Sequence, residues 1–86
     1  MPNKNYEKGR RKEYKICNEL KEAGFEIVQR TAGSHSPVDI IAINRDLGEI
    51  KLIQAKPDNF SDIGELRLLE EHKWLNGWFE VFFEVR

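Results

Sequence analysis

Two apolar runs separated by a six-residue polar stretch constrain this chain most. The first is Val38-Asp39-Ile40-Ile41-Ala42-Ile43 and the second Ile50-Lys51-Leu52-Ile53-Gln54-Ala55-Lys56. Between them, Asn44-Arg45-Asp46-Leu47-Gly48-Glu49 carries the turn formers of a short hairpin loop. Runs this short and rich in Ile and Val read as strands. If Asn44 pairs with Glu49, paired positions sum to 93, so Asp39 lies directly opposite Gln54. Side chains repeat every two residues along a strand, which puts Gln54 and Lys56 on one face. An acid, an amide and an ammonium thus converge on one patch of a buried hairpin, where an unpaired charge is costly. A stray ion pair on a hairpin with one wet face would look similar. Against that, the Asp39 run is apolar on both sides, as a central, covered strand requires.

A helix should precede this hairpin. Residues 5–23 are rich in helix formers, and Gly24-Phe25 makes a C-terminal stop. Glu13, Cys17, Leu20 and Gly24 fall at i, i+4, i+7 and i+11, one face of the helix, so Glu13 shares the apolar stripe. Lys12, Lys15, Glu19 and Glu22 fall elsewhere and read as solvated.

Charge is segregated along the chain. Residues 1–15 hold six Lys or Arg (Lys4, Lys8, Arg10, Arg11, Lys12, Lys15) against Glu7 and Glu13, a local +4 in a chain of net charge −1. The remaining residues therefore carry −5, and such asymmetry is the footprint of phosphate contacts made by one segment. A chain of 86 residues is one domain, with residues 1–7 expected as a flexible lead-in. A domain of this size buries only about 60% of its unfolded surface, and dimerisation is a natural remedy. The single Cys17 excludes an internal disulfide and a zinc cluster, and suits a small core residue in a reducing, cytoplasmic compartment. The apolar runs are strand-length, so no signal peptide or membrane span is expected.

The C-terminal third reads as helix then strand. Asp62-Ile63-Gly64-Glu65 has capping-box spacing, and the helix should reach about Leu75 before Asn76-Gly77. Ile63, Leu66, Leu69 and Trp74 form one apolar stripe, while Leu68 and Leu75 form another. In residues 78–85, Phe79, Val81, Phe83 and Val85 alternate with Trp78, Glu80, Phe82 and Glu84, a strand pattern. The expected order is helix, three strands, helix, strand. This is a small α/β core in which the last strand joins a mixed sheet after a crossover. His72 reads as structural, and His35 as an exposed loop residue.

Taken in order, Lys8-Gly9-Arg10-Arg11-Lys12-Glu13, Ala23-Gly24-Phe25, Gly33-Ser34-His35-Ser36-Pro37-Val38-Asp39-Ile40 and Gln54-Ala55-Lys56 resemble the PD-(D/E)xK nuclease superfamily. Within it the chain looks most like the archaeal-type Holliday junction resolvases. The likeness covers roughly residues 8–57 and implies a restriction-endonuclease-like core with helices flanking the sheet. It implies Glu13, Asp39, Gln54 and Lys56 as catalytic residues. Mg²⁺, with Mn²⁺ as a substitute, would be held by Glu13, Asp39, the Gln54 side-chain oxygen and the Ala55 carbonyl. Lys56 would orient the attacking water, while Lys8, Arg10, Arg11, Lys12, Ser34 and Ser36 would contact DNA. The implied partners are branched DNA, such as a four-way junction, and a second copy of the chain. Gln54 departs from the family, which usually has Glu there, and a neutral ligand weakens metal binding. Mrr-type restriction nucleases use Gln-x-Lys at this place, which leaves that family, and a non-cleaving DNA-binding or assembly protein of the same fold, as alternatives.

Overall fold

The computed structural model describes residues 4–31 and 36–86. The chain begins with α1 (Lys4–Glu22), followed by β1 (Ile27–Arg30), β2 (Ile40–Asn44), β3 (Glu49–Ile53), α2 (Asp62–Glu71) and a 3₁₀ turn, η1 (Lys73–Leu75). This is a small α/β fold in which the three strands form an antiparallel sheet, β2 in the middle. Residues 4–7, expected as part of a flexible lead-in, belong to α1, and residues 1–3 lie outside the described ones.

α1 ends as its sequence predicts. The Phe25 N–H donates to the Leu20 carbonyl (3.1 Å) and the Gly24 N–H to the Lys21 carbonyl (3.1 Å), with Gly24 at φ +99°. This pair of bonds is the Schellman arrangement, in which the left-handed residue after the helix is cheapest as glycine. Leu20 and Phe25, which bracket the motif, are both buried in the core with Cys17, Ile40 and Ala42.

That core lies between α1 and one face of the sheet. Ile40 and Ala42 are fully buried and Asn44 nearly so, each on the β2 face that α1 covers. Asn44 is satisfied locally, its side-chain oxygen accepting the Leu47 N–H at 3.1 Å and so closing the β2–β3 turn. The predicted hairpin register holds, with Asn44 facing Glu49 and Ile40 facing Ile53. The opposite sheet face, where Ile27, Ile50 and Leu52 are each at least 40% exposed, has much thinner cover.

The C-terminal third differs from expectation. α2 is capped one residue earlier than predicted, by Ser61, whose hydroxyl accepts the Gly64 N–H at 3.1 Å. His72 closes the helix: its N–H and its ring Nδ1 both bond the Leu68 carbonyl, the latter at 2.9 Å, which requires the proton on Nδ1. Leu68, His72 and Leu75 are half-buried, whereas Ile63, Leu66, Leu69 and Trp74 are exposed, so the smaller of the two predicted stripes faces inward.

The expected final strand does not form. Residues 78–86 are irregular, and Phe82, Phe83 and Val85 are 74%, 93% and 86% exposed. The sheet described is consequently antiparallel throughout rather than mixed. The alternation of residues 78–85 supplies β-propensity, but a strand also needs an edge to pair with. Among the described residues, the α2 backbone packs beside η1 and beside no strand, so it does not carry the chain back along the sheet. No helix among the described residues is long and apolar enough to cross a membrane.

Candidate active site

Asp39 stands immediately before β2. Its N–H donates to the Ile53 carbonyl (2.8 Å) and its carbonyl accepts the Thr31 N–H (2.9 Å), so both neighbouring strands hold its backbone. Ile53 is also the residue that Ile40 faces, which means the ladder slips by one residue at Asp39. Such slips re-aim a side chain at the end of a strand pair. Asp39 is thus not the side-by-side partner of Gln54 that an unbroken register predicts. Its carboxylate reaches one residue further, where Oδ2 accepts the Ala55 N–H at 2.8 Å.

Ala55 in turn lines a pocket of about 400 Å³ together with Lys8, Gly9, Lys12, Glu13, Lys56, Pro57 and Asn59. Two elements far apart in sequence meet here. Lys8 and Lys12, at i and i+4, put two ammonium groups on the face of α1 that adjoins Glu13. The segment after β3 supplies Ala55 and Lys56, with Asp39 tied behind through Ala55. Gln54 is not among the residues that line this pocket. It lines a larger groove between β3 and the α2–η1 segment, and Lys56 is common to both cavities. The Lys56 ammonium also lies 5.6 Å from the centre of the Phe60 ring.

Glu13 is half-buried and paired. The Arg30 Nε donates to its Oε1 at 3.1 Å, with the two side chains only 21% and 28% exposed. The Arg30 guanidinium holds its proton more firmly than usual, chiefly through this hydrogen bond to Glu13. Arg30 also donates to the Tyr14 hydroxyl (3.2 Å) and lies over its ring, as Arg10 does from the preceding turn. The two guanidiniums, Arg10 foremost, lower the Tyr14 phenol below the ordinary tyrosine range.

The remaining predicted DNA contacts spread out from this centre. Arg11 is exposed and 3.9 Å from Glu7 in the same helix, on its own side of α1. Lys12 is ion-paired with Asp58 in the loop after Lys56. Ser36 accepts the Val38 N–H at 3.1 Å and so braces the approach to Asp39. Ser34 and His35 lie outside the described residues.

Arg30, Tyr14 and Asp58 are neighbours of the candidate residues that the sequence reading missed. Arg30 had a signal. Alternate strand positions share a face, so Arg30 sits with the core-facing Val28, and a cation there calls for an acid such as Glu13. Asp58, in an irregular loop, had none.

Among the described residues no three His, Cys, Asp or Glu side chains lie close enough to hold a metal ion. Of the predicted oxygen donors, Glu13 and Ala55 line this pocket, and the Asp39 carboxylate is tied to it through the Ala55 N–H without lining it. Oxygen donors suit Mg²⁺, which commonly uses one or two carboxylates and takes further oxygens from water and a substrate phosphate. Such a sparse oxygen set fits that mode rather than a closed protein cage, and neither Asp39 nor Gln54 is part of the pocket lining itself. No family model matches the chain, and no curated protein or solved structure does either.

Proposed function

We propose that the protein is a Mg²⁺-dependent endodeoxyribonuclease of PD-(D/E)xK type that acts on branched DNA, in the manner of a Holliday junction resolvase. One observation carries the reading. Glu13 of α1 and the Ala55-Lys56 pair after β3 line one pocket with Lys8 and Lys12, and the Asp39 carboxylate is anchored on the Ala55 N–H. These are the motif residues of the resemblance, drawn from separate elements.

In this reading the lysines bind the phosphate and reduce its charge, Lys56 holds the attacking water, and Asp39 fixes the Ala55 backbone at the pocket wall. Mg²⁺ bound by Asp39, Glu13 and the Ala55 carbonyl would acidify water and neutralise the phosphate in flight. A dimer completes the proposal. Two symmetric copies place two sites for paired cuts in a four-way junction, with Trp74, Leu75, Trp78 or Phe82 in the interface.

The test is cleavage of a labelled four-way junction and a linear duplex by the purified protein with and without Mg²⁺. Asp39→Asn and Lys56→Ala should each lower the rate by at least about 100-fold, the scale of losing a group that acts on the reacting atoms, with the circular dichroism spectrum unchanged. Undiminished cleavage by either variant would end this reading. Preference for the linear duplex would instead favour a restriction-type nuclease.

A second reading is favoured by two observations, the absence of Gln54 from the pocket lining and the pairing of Glu13 with Arg30. The first removes an oxygen donor from the pocket and the second offsets the charge that Glu13 offers a cation. On that reading the protein binds DNA without cutting it, and junction binding would persist with no cleavage at any Mg²⁺ or Mn²⁺ concentration. Gln54→Glu discriminates further, because an added charge at a ligand position changes the metal requirement and an added charge in the separate groove does not.

A further inference from the structure

Among the described residues, Lys12 is the pocket lysine held in an ion pair. Its ammonium is half-buried at the wall beside Glu13, with 30% of the side chain exposed, and it donates to Asp58, whose side chain is 85% exposed. The pair joins α1 to the loop that follows Lys56, 46 residues away in sequence. Asp58 titrates below the usual carboxylate range, first because of this hydrogen bond and its charge, and then through the more distant Lys15.

An exposed carboxylate on a pocket ammonium occupies the place an incoming phosphate oxygen would take. Both are oxygen anions that accept N–H bonds from a cation. Lys8 and Lys56 line the same pocket, so a phosphate that displaces Asp58 from Lys12 enters a site with two further lysines in its wall. Water screens an ion pair with one partner this exposed, which leaves it weak enough for such an exchange. We propose that Asp58 is a built-in competitor for the DNA phosphate on Lys12, exchanged when DNA binds, and that it sets the affinity of this pocket. The inference rests on the DNA reading above but concerns binding alone.

The experiment measures binding of a fluorescent four-way junction by anisotropy, without divalent metal, over a range of NaCl concentrations. Asp58→Asn, at an exposed position where folding is not at stake, should tighten binding about 3- to 10-fold at low salt. Its plot of log K against log salt should be somewhat steeper than that of the wild type: Lys12 neutralises one DNA phosphate in both proteins, but salt also screens the competing Asp58 in the wild type alone, so the advantage shrinks as salt rises. Asp62→Asn, which removes an exposed acid nearby, controls for net charge and should have a smaller effect. In a Lys12→Met background, Asp58→Asn should lose its advantage over Asp62→Asn.

Equal effects of Asp58→Asn and Asp62→Asn overturn the proposal, as does an advantage that survives Lys12→Met. If the wild-type protein cuts junctions while Asp58→Asn binds them unchanged, this inference fails and the nuclease reading stands. If Asp58→Asn binds more tightly but neither protein cuts in Mg²⁺, the inference stands and that reading fails. Absence of DNA binding by either protein overturns both.

Discussion

The segment from α1 through β3 and the segment from α2 to the C-terminus are both rich in large apolar side chains, yet they use them differently. In the first, Cys17, Leu20, Phe25, Ile40 and Ala42 close into one core. In the second no residue of α2 or η1 is buried, and Trp78, Phe82 and Phe83 are 74–93% exposed. The surface reflects this. A compact monomer of 10.1 kDa exposes roughly 5,300 Å², whereas this chain exposes 7717 Å². Its radius of gyration, 14.3 Å, also exceeds the roughly 12 Å of a compact chain of this length. Apolar content alone therefore does not make a core. The first segment has a helix delivered onto a sheet by a tight Gly24 turn, and the second has no equivalent partner. Exposed aromatic surface on this scale is characteristic of an interface.

The largest expected effect tests this contrast directly. Ile40→Ala should cost about 2–5 kcal/mol in urea unfolding, the range for truncating a well-packed core side chain. Phe83→Ala should cost under about 0.5 kcal/mol, as at other exposed sites. A cost above about 2 kcal/mol for Phe83→Ala would break the comparison by showing that the C-terminal segment is packed in solution.

Assembly sharpens it. With the aromatic segment as a dimer interface, light scattering at micromolar concentration should give twice the chain mass, and Leu75→Glu should halve it. A wild-type monomer would remove the interface, and with it the paired-site model.

DNA binding should divide the same way. Replacing Arg10, Arg11 and Lys12 by Ala should weaken it and flatten its salt dependence by about 0.9 for each phosphate no longer neutralised. Replacing the C-terminal Arg67 and Lys73 should leave the slope unchanged. Equal effects of both sets would place the DNA surface across both regions.

The smallest effect concerns Tyr14. Ultraviolet titration, with Tyr14→Phe as the blank, should show its phenol ionising below the ordinary tyrosine range, because two guanidiniums favour the phenolate. Arg10→Ala should return it most of the way, and Arg30→Ala less. An unshifted Tyr14 would remove the arginine pair from this face of α1.

Much of the first segment was legible because its signals are local. The α1 stripe, the Gly24-Phe25 stop, the four-residue turn and the Asn44–Glu49 register each depend on residues within a few positions of one another. The candidate site was legible in part. Glu13, Ala55 and Lys56 line one pocket, but the slip at Asp39 moves its carboxylate from Gln54 to the Ala55 N–H. A ladder that slips at its end leaves no mark in an apolar run. Arg30 was overlooked, although its inward position beside Val28 called for an acid.

By itself, then, the sequence determined what short-range chemistry decides: where α1 stops, how β2 and β3 pair, and that positive charge gathers at the N-terminal end. Only the tertiary structure decided which charges meet, Glu13 with Arg30 and Lys12 with Asp58, because such pairs depend on how α1 lies across the sheet. It also decided that residues 78–85 remain irregular despite their alternation. A pattern of period two prepares a chain to pair, but a strand forms only where another backbone offers its hydrogen bonds.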